Sequence, residues 1–144
     1  MSEDSIVVAS DHAGFELKEI LKDELEAIGI PIEDLGVHDT SAVDYPDIAN
    51  ALAAVVSAGA GRRGLLLCGT GIGASIAANR HRRVRAALCH SAATARMARE
   101  HNDANVLVLG GRVTDPDTAR ECLRIFLETD FAGGRHIARV AKLA

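Results

Sequence analysis

The residues best suited to chemistry lie in one short stretch, where a cysteine precedes a turn of three alternating glycines. Cys68 follows the apolar run Leu65–Leu67, and Gly69–Gly73 reads Gly-Thr-Gly-Ile-Gly. Alternating glycines let backbone N–H groups approach a ligand closely, and the small-residue helix predicted after them would add the positive end of its dipole. We therefore predict a turn that binds a small anion or oxyanion, with the Cys68 thiol at its edge as a base or nucleophile.

Two better-known glycine motifs do not fit this turn. A dinucleotide-binding turn requires an acidic residue about twenty positions further on, where His90 and Ser91 stand, and a P-loop requires Gly-Lys followed by Ser or Thr. A purely structural tight turn is the alternative, although three alternating glycines are more than it needs. For Cys68 the alternative is a buried apolar thiol, which is the interpretation we give to Cys89 and Cys122.

Asp11 and His12 are a second candidate, because they stand between the first predicted strand and its helix. The pair either belongs to a functional site or consists of a helix cap by Asp11 with His12 incidental, and the sequence does not separate the two. His101 lies in a predicted polar turn, His101–Asn105, where it is either functional or merely exposed. The six histidines lack the close spacing typical of a metal site.

Charge is distributed unevenly along the chain. Met1–Asn50 contains thirteen acidic and two basic residues, whereas the remainder contains seven acidic and fourteen basic residues. An arginine-rich second half suits a small anion or the acidic surface of another copy. Arg135 and Arg139 are four positions apart, so they share a predicted helix face that suits a phosphate. A solvated helix face is the alternative that the sequence leaves open.

Length and composition predict a single globular domain over residues 1–144. Hydrophobic residues make up 48% of the chain and aromatic residues 3%, so the core is aliphatic and few side chains are available to stack on bases. The net charge of −4 gives no support for nucleic-acid binding. Three widely spaced cysteines indicate reduced thiols in the cytoplasm, and no apolar run has membrane-spanning length.

Apolar runs alternate with segments of helical periodicity along the whole chain. The predicted strands are Ile6–Ser10, Ile30–Leu35, Gly64–Cys68, Val84–Leu88 and Val106–Leu109. The predicted helices are Phe15–Ile28, a second ending near Gly59, Ile72–Asn79, Ala92–Glu100, one opened by Asp115-Pro116, and one from Arg135 towards the C-terminus. This alternation predicts an α/β fold: a three-layer, doubly wound Rossmann-like sheet of five parallel strands, with helices on both faces and a C-terminal helix.

Ligands of such sheets bind at the carboxyl ends of the strands. Most candidates follow a predicted strand and therefore fall at that edge: Asp11, His12, Cys68–Gly73, His90 and Gly110–Arg112. His101 and Asn102 instead precede the fifth strand, which places them at the opposite edge of their own chain. A site within one chain does not accommodate that position.

Several motifs occur together and in order: Ser10–Gly14, Asp44–Asp47, Cys68–Gly73 with Ser75–Asn79, His101–Leu107, and Gly133–His136 with Arg139-Val140. Their combination closely resembles type B ribose-5-phosphate isomerases, in the family that includes galactose-6-phosphate isomerase subunits. The resemblance spans essentially the whole chain. The family uses either cysteine or glutamate as its catalytic base, and Cys68 places this chain in the cysteine branch.

The resemblance implies an aldose–ketose isomerisation of a phosphorylated sugar in the pentose phosphate pathway, without metal or organic cofactor. Cys68 would move a proton between C2 and C1 through an enediolate, and His101 would assist ring opening with Asp11. The backbone amides of the turn would stabilise the oxyanion, and Thr70 would contact the sugar or tune the thiol. The turn comprises Gly69, Thr70, Gly71, Ile72 and Gly73.

The resemblance also implies a homodimer, or a dimer of dimers, with a site built across two chains. His101 and Asn102 would then reach the neighbouring chain's Cys68, which resolves their position at the wrong edge. Asn102 and Tyr45 would contact the sugar, and the phosphate would be held by His12, Arg112, Arg135 and Arg139. Arg80–Arg83 departs from the family pattern, where lysine and glycine are commoner.

Three alternatives stay open. The enzyme would act on another aldose phosphate, such as allose, galactose or a tetrose phosphate; the chain would bind sugar phosphates without turnover; or the fold would serve as an assembly scaffold. The joint presence of Cys68 and His101 argues against pure binding, which needs neither.

Overall fold

Parallel strands form one five-stranded sheet in the computed structural model, which describes residues 5–59 and 61–143. The spatial order is β2-β1-β3-β5-β4, and every neighbouring pair is parallel. From β1 the chain passes outwards to β2 and then crosses to the other side of β1, which confirms the doubly wound prediction. The strands are β1 (Ile6–Ser10), β2 (Ile32–Asp34), β3 (Arg63–Cys68), β4 (Ala86–Leu88) and β5 (Val106–Gly110).

Helices cover both faces of this sheet, because alternate strand residues point to opposite sides and both sets are apolar. Helices α1, α4 and α5 pack on the face that carries Val8 and Leu67, and α2 and α3 pack on the face that carries Val7 and Leu66. The predicted three layers are therefore confirmed. The helices are α1 (Phe15–Ala27), α2 (Tyr45–Ala58), α3 (Ile72–Ala78), α4 (Ala92–Asn102), α5 (Pro116–Glu128) and α6 (His136–Ala141).

The predicted polar turn at His101–Asn105 is wrong at its start. Helix α4 continues through His101 to Asn102 and ends at Asp103, which has φ 47° in the left-handed region. The buried Arg99 binds the Asp103 carboxylate at 2.9 Å and the Ala104 carbonyl at 2.7 Å, so side-chain contacts extend the last turn. Helix end and strand start are therefore separated by only three residues.

Lys18 is a buried charge that hydrophobic periodicity does not reveal. Its side chain is fully buried, and its Nζ donates to Asp34 at 2.8 Å and to the Val37 carbonyl at 2.6 Å. Burial by itself would raise the pKa of Asp34, but hydrogen bonds from Lys18, Lys22 and the Gly36 amide hold that pKa below its ordinary value. The cluster fixes the chain just after β2.

The thiols of Cys89 and Cys122 are buried in the core, as predicted, and burial raises the pKa of Cys122 to about 11. No helix among the described residues is long and apolar enough to cross a membrane.

Candidate active site

Cys68 is the last residue of β3, and its sulfur faces the glycine turn. The side chain is 4% exposed, and the Gly71 amide donates to Sγ at 3.1 Å. The chain reverses sharply to make this contact, and Gly71 allows the reversal by adopting φ +83°, in the left-handed region. The amide of Ile72 is also occupied, by Thr70 Oγ1 at 3.2 Å. The turn therefore uses two of its amides internally, one of them on the sulfur.

Gly71 is the glycine of this turn at which backbone conformation and crowding together oppose a side chain. A methyl group there would lie 3.2 Å from the Leu109 backbone carbon and would also meet Leu88, in addition to the cost of φ +83°. We expect Gly71→Ala to lower the free energy of unfolding by about 2–3 kcal/mol, measured by urea titration. Gly29→Ala is the matched control: Gly29 has φ +80° with nothing within 4 Å, so about 1 kcal/mol is expected. Equal losses at both glycines would contradict the proposed clash.

Asp11 and His12 are fixed by backbone contacts directly after β1. The Asp11 carboxylate accepts the Gly14 amide at 3.0 Å, so Asp11 does cap the helical turn that follows β1. The same residue also lines the cleft beside Cys68. His12 Nδ1 accepts the Val43 amide at 3.2 Å, which leaves its hydrogen on Nε2 as a donor.

Arg112 reaches the glycine turn because the segment after β5 is hydrogen-bonded to it. The Gly111 amide donates to the Cys68 carbonyl at 2.8 Å, and the Arg112 amide donates to the Gly69 carbonyl at 2.9 Å. The guanidinium group packs against Gly69, where an added methyl group would lie 3.4 Å from Nη1. Within the described part of the chain, no carboxylate pairs with Arg112, so its charge is available to a ligand.

These side chains border one open cleft of about 570 Å³ at the carboxyl edge of the sheet. The Tyr45 ring forms part of its wall and packs against Gly73, where no side chain would fit. The cleft brings together nine of the predicted site residues: Asp11, His12, Tyr45, Cys68, Gly69, Thr70, Ile72, Gly73 and Arg112. Gly71 lies beneath them, bound to the sulfur.

Four predicted site residues lie elsewhere in the same chain. His101 and Asn102 end α4, Arg135 precedes α6, and Arg139 lies within it. None of the four lines the cleft that contains Cys68. A single chain therefore presents the predicted residues as two separate groups.

His136 joins the second group, although the sequence analysis gives it no role. Its ring stacks on that of His101, with centroids 4.6 Å apart and planes 16° from parallel. Partial burial is the main cause that lowers the pKa of His136, and the neighbouring His101, Arg135 and Arg139 lower it further. The Gly-Gly-Arg-His motif was the available signal, but the stacking depends on how α6 packs against α4.

Apolar side chains are exposed beside both groups. Ile72 and Ile76 of α3 are 55% and 56% exposed next to the cleft, and Ile137 of α6 is 58% exposed between the two arginines. None of the six residues of α6 is buried. Exposed apolar patches bordered by polar residues are typical of interaction sites.

Residues 6–143 match the model of the ribose/galactose isomerase family. A solved ribose 5-phosphate isomerase from Thermotoga maritima is 48% identical, with TM-score 0.94, and the match covers 99% of this chain and 98% of that one. Ribose-5-phosphate isomerase B from Mycoplasma genitalium, solved with bound ribulose-5-phosphate, is 39% identical with TM-score 0.92 and coverage of 96% and 93%. A D-erythrulose-4-phosphate isomerase from Pectobacterium atrosepticum is 39% identical, covering 96% of this chain and 92% of its own.

The chain therefore belongs to the ribose/galactose isomerase family. The predicted family resemblance is confirmed, as is the prediction of an enzyme, an aldose–ketose isomerase of the sugar-phosphate class.

Proposed function

We propose that the protein interconverts D-ribose 5-phosphate and D-ribulose 5-phosphate through an enediolate, with Cys68 as the base. The main support for this proposal is that Cys68 lines the cleft and that its sulfur accepts a hydrogen bond from the Gly71 amide at 3.1 Å. A hydrogen-bond donor on sulfur favours the thiolate that proton abstraction requires. The five-carbon substrate is supported by the names of the Thermotoga and Mycoplasma relatives.

The proton transfer proceeds within the open-chain sugar. Cys68 removes the proton from C2, the electron pair forms the C1–C2 double bond, and the C1 carbonyl oxygen becomes the enediolate oxygen. The O2 hydroxyl proton then passes to O1, the C2–O2 bond becomes the ketone carbonyl, and the electron pair of the C1–C2 double bond takes the proton back from the Cys68 thiol at C1. Gly73 is the second residue of α3, so its N–H has no partner within the helix and can donate to the oxyanion. Thr70, at the lip of the turn, contacts the sugar.

Ring opening and phosphate binding are assigned to charged side chains of both groups. His101 acts as acid and base for ring opening with Asp11, and Asn102 holds sugar oxygens. The phosphate lies on the donors that no described carboxylate occupies: His12 Nε2, Arg112, Arg135 and Arg139. Tyr45 borders the sugar.

A homodimer would bring the two groups together. The cleft of one subunit lacks His101, Asn102, Arg135 and Arg139, and the second group carries them next to exposed apolar residues. In a two-fold dimer, the cleft of each subunit can meet the second group of the other subunit, and this completes two identical sites. Covering Ile72, Ile76 and Ile137 stabilises such an arrangement. We place the protein in the cytoplasm, where its three free thiols stay reduced.

The decisive experiment ranks pentose, tetrose and hexose phosphates by kcat/KM. We expect D-ribose 5-phosphate to rank first, with a rate that excess chelator leaves unchanged, because proton transfer here relies on Cys68 and backbone donors. A higher value for a four-carbon sugar phosphate would favour the alternative suggested by the Pectobacterium relative. Saturable binding without turnover of any sugar would instead indicate a binding module, and loss of activity on chelation would contradict the metal-free mechanism.

A further inference from the structure

A second cavity, of about 620 Å³, lies at the edge of the sheet opposite Cys68. Arg63 begins β3, whereas Cys68 ends it, and Arg85 directly precedes β4. The cavity therefore opens at the amino ends of the strands, away from the proposed active site. Its charged lining comprises Arg62, Arg63, Arg83, Arg85, Arg99 and Asp103.

The arginines of this cavity outnumber their acidic partners. Arg62 pairs with Glu33, outside the lining, while Arg85 and Arg99 share the single carboxylate of Asp103, at 3.5 Å and 2.9 Å. One carboxylate cannot neutralise two guanidinium groups. The positive charge around Asp103 is therefore only partly balanced.

Arg63 and Arg83 bind neutral carbonyl oxygens in place of carboxylates. Arg63 Nη1 donates to Leu127 at 3.2 Å, and Arg83 Nη1 donates to Ser57 at 3.3 Å. Burial is the main cause that lowers the pKa of Arg63, and the positive charge of Arg99 lowers it further. The nearby carboxylates of Asp103 and Asp130 offset part of this lowering. The two guanidinium groups are therefore held close together at an electrostatic cost. An anion in the cavity would relieve the repulsion.

We propose that this cavity binds a compact anion that carries two or more phosphate groups. Guanidinium groups match phosphate oxygens in geometry and remain charged at all relevant pH values. The volume lies within the range of small-molecule sites, and the arginines come from three separate segments, so they surround a ligand larger than one phosphate. The ligand competes with Asp103 for Arg85 and Arg99, and so acts on the residue that ends α4.

The test is calorimetric titration of the intact protein with pyrophosphate at low ionic strength. The double variant Arg63→Gln/Arg83→Gln should bind pyrophosphate at least tenfold more weakly than the wild type. The control Arg80→Gln/Arg96→Gln removes two arginines outside the cavity and should change the affinity less than twofold. Thermal unfolding of both variants verifies that each is folded. Equal weakening in the two variants would show a non-specific charge effect and overturn the proposal.

The variant Arg112→Ala distinguishes pyrophosphate binding in this cavity from binding in the cleft that contains Cys68. Retained pyrophosphate binding in Arg112→Ala supports the proposal, and binding lost there but kept in Arg63→Gln/Arg83→Gln overturns it. In nitrogen-15 spectra, the amides of Arg85 and Asp103 should shift on titration. These binding tests involve no turnover, so they succeed or fail independently of the proposed isomerase reaction.

A parallel titration with ADP distinguishes a nucleotide from free polyphosphate as the source of the phosphates. Tighter binding of ADP than of pyrophosphate assigns the cavity to a nucleotide, the reverse order assigns it to inorganic polyphosphate, and both results support the anion site. Absence of binding of either compound at millimolar concentration contradicts it.

Discussion

Cys68→Ser is expected to lower kcat by about three orders of magnitude or more, because a hydroxyl is a far weaker base than a thiolate. Serine is nearly the same size, and its oxygen can accept the Gly71 amide that now binds the sulfur. The loss is therefore chemical, and the turn should keep its shape. Initial rates with D-ribose 5-phosphate at saturation measure the effect, while calorimetric titration of the variant with the same compound should show nearly normal binding.

Cys89→Ala is the matched control for the loss of a thiol. Cys89 is buried in the core and does not line the cleft. We expect a cost of about 1 kcal/mol in the free energy of unfolding, with an unchanged kcat. A Cys68→Ser enzyme that keeps a tenth or more of the wild-type kcat would refute Cys68 as the base.

Two inactive variants should restore each other when their subunits mix. Cys68→Ala damages one group of the proposed site, and His101→Ala damages the other. In a mixed dimer both lesions fall in the same site, and the second site is intact. Co-expressed with equal amounts of each subunit, the preparation should regain about a quarter of wild-type activity, since half of the dimers are mixed and each has one working site.

The control for subunit mixing is a pair of variants in the same group. Cys68→Ala combined with Arg112→Ala leaves one lesion in each site of the mixed dimer, so little activity should return. If Cys68→Ala and His101→Ala together stay inactive after mixing is verified by differently tagged subunits, the site does not span two chains.

Apolar patterning predicts the centre of this fold better than its margins. The predicted bounds of β1 match the structure, and β3 differs by one residue, because buried central strands are uninterrupted apolar runs. The edge strands β2 and β4 are each shorter than predicted. Strand length at an edge depends on a single neighbour, and the apolar composition of the segment does not report where that pairing ends.

Contacts between distant residues explain what the sequence leaves hidden in the core and at the site. Lys18 is buried next to the apolar face of α1 because Asp34 lies sixteen positions away, and helical periodicity carries no record of that partner. The grouping of Asp11, Cys68 and Arg112 follows from strand topology and is predictable. The His101–His136 stacking is not, because it depends on the position of α6.

Helix α6 buries none of its residues, so if the proposed site is correct, the residues that fold the chain and those that bind the phosphate lie on different parts of it. A substitution on that helix removes little from the core and carries little stability cost. In the proposed site, a change at Arg139 would therefore alter the grip on the phosphate while leaving the sheet and its core intact.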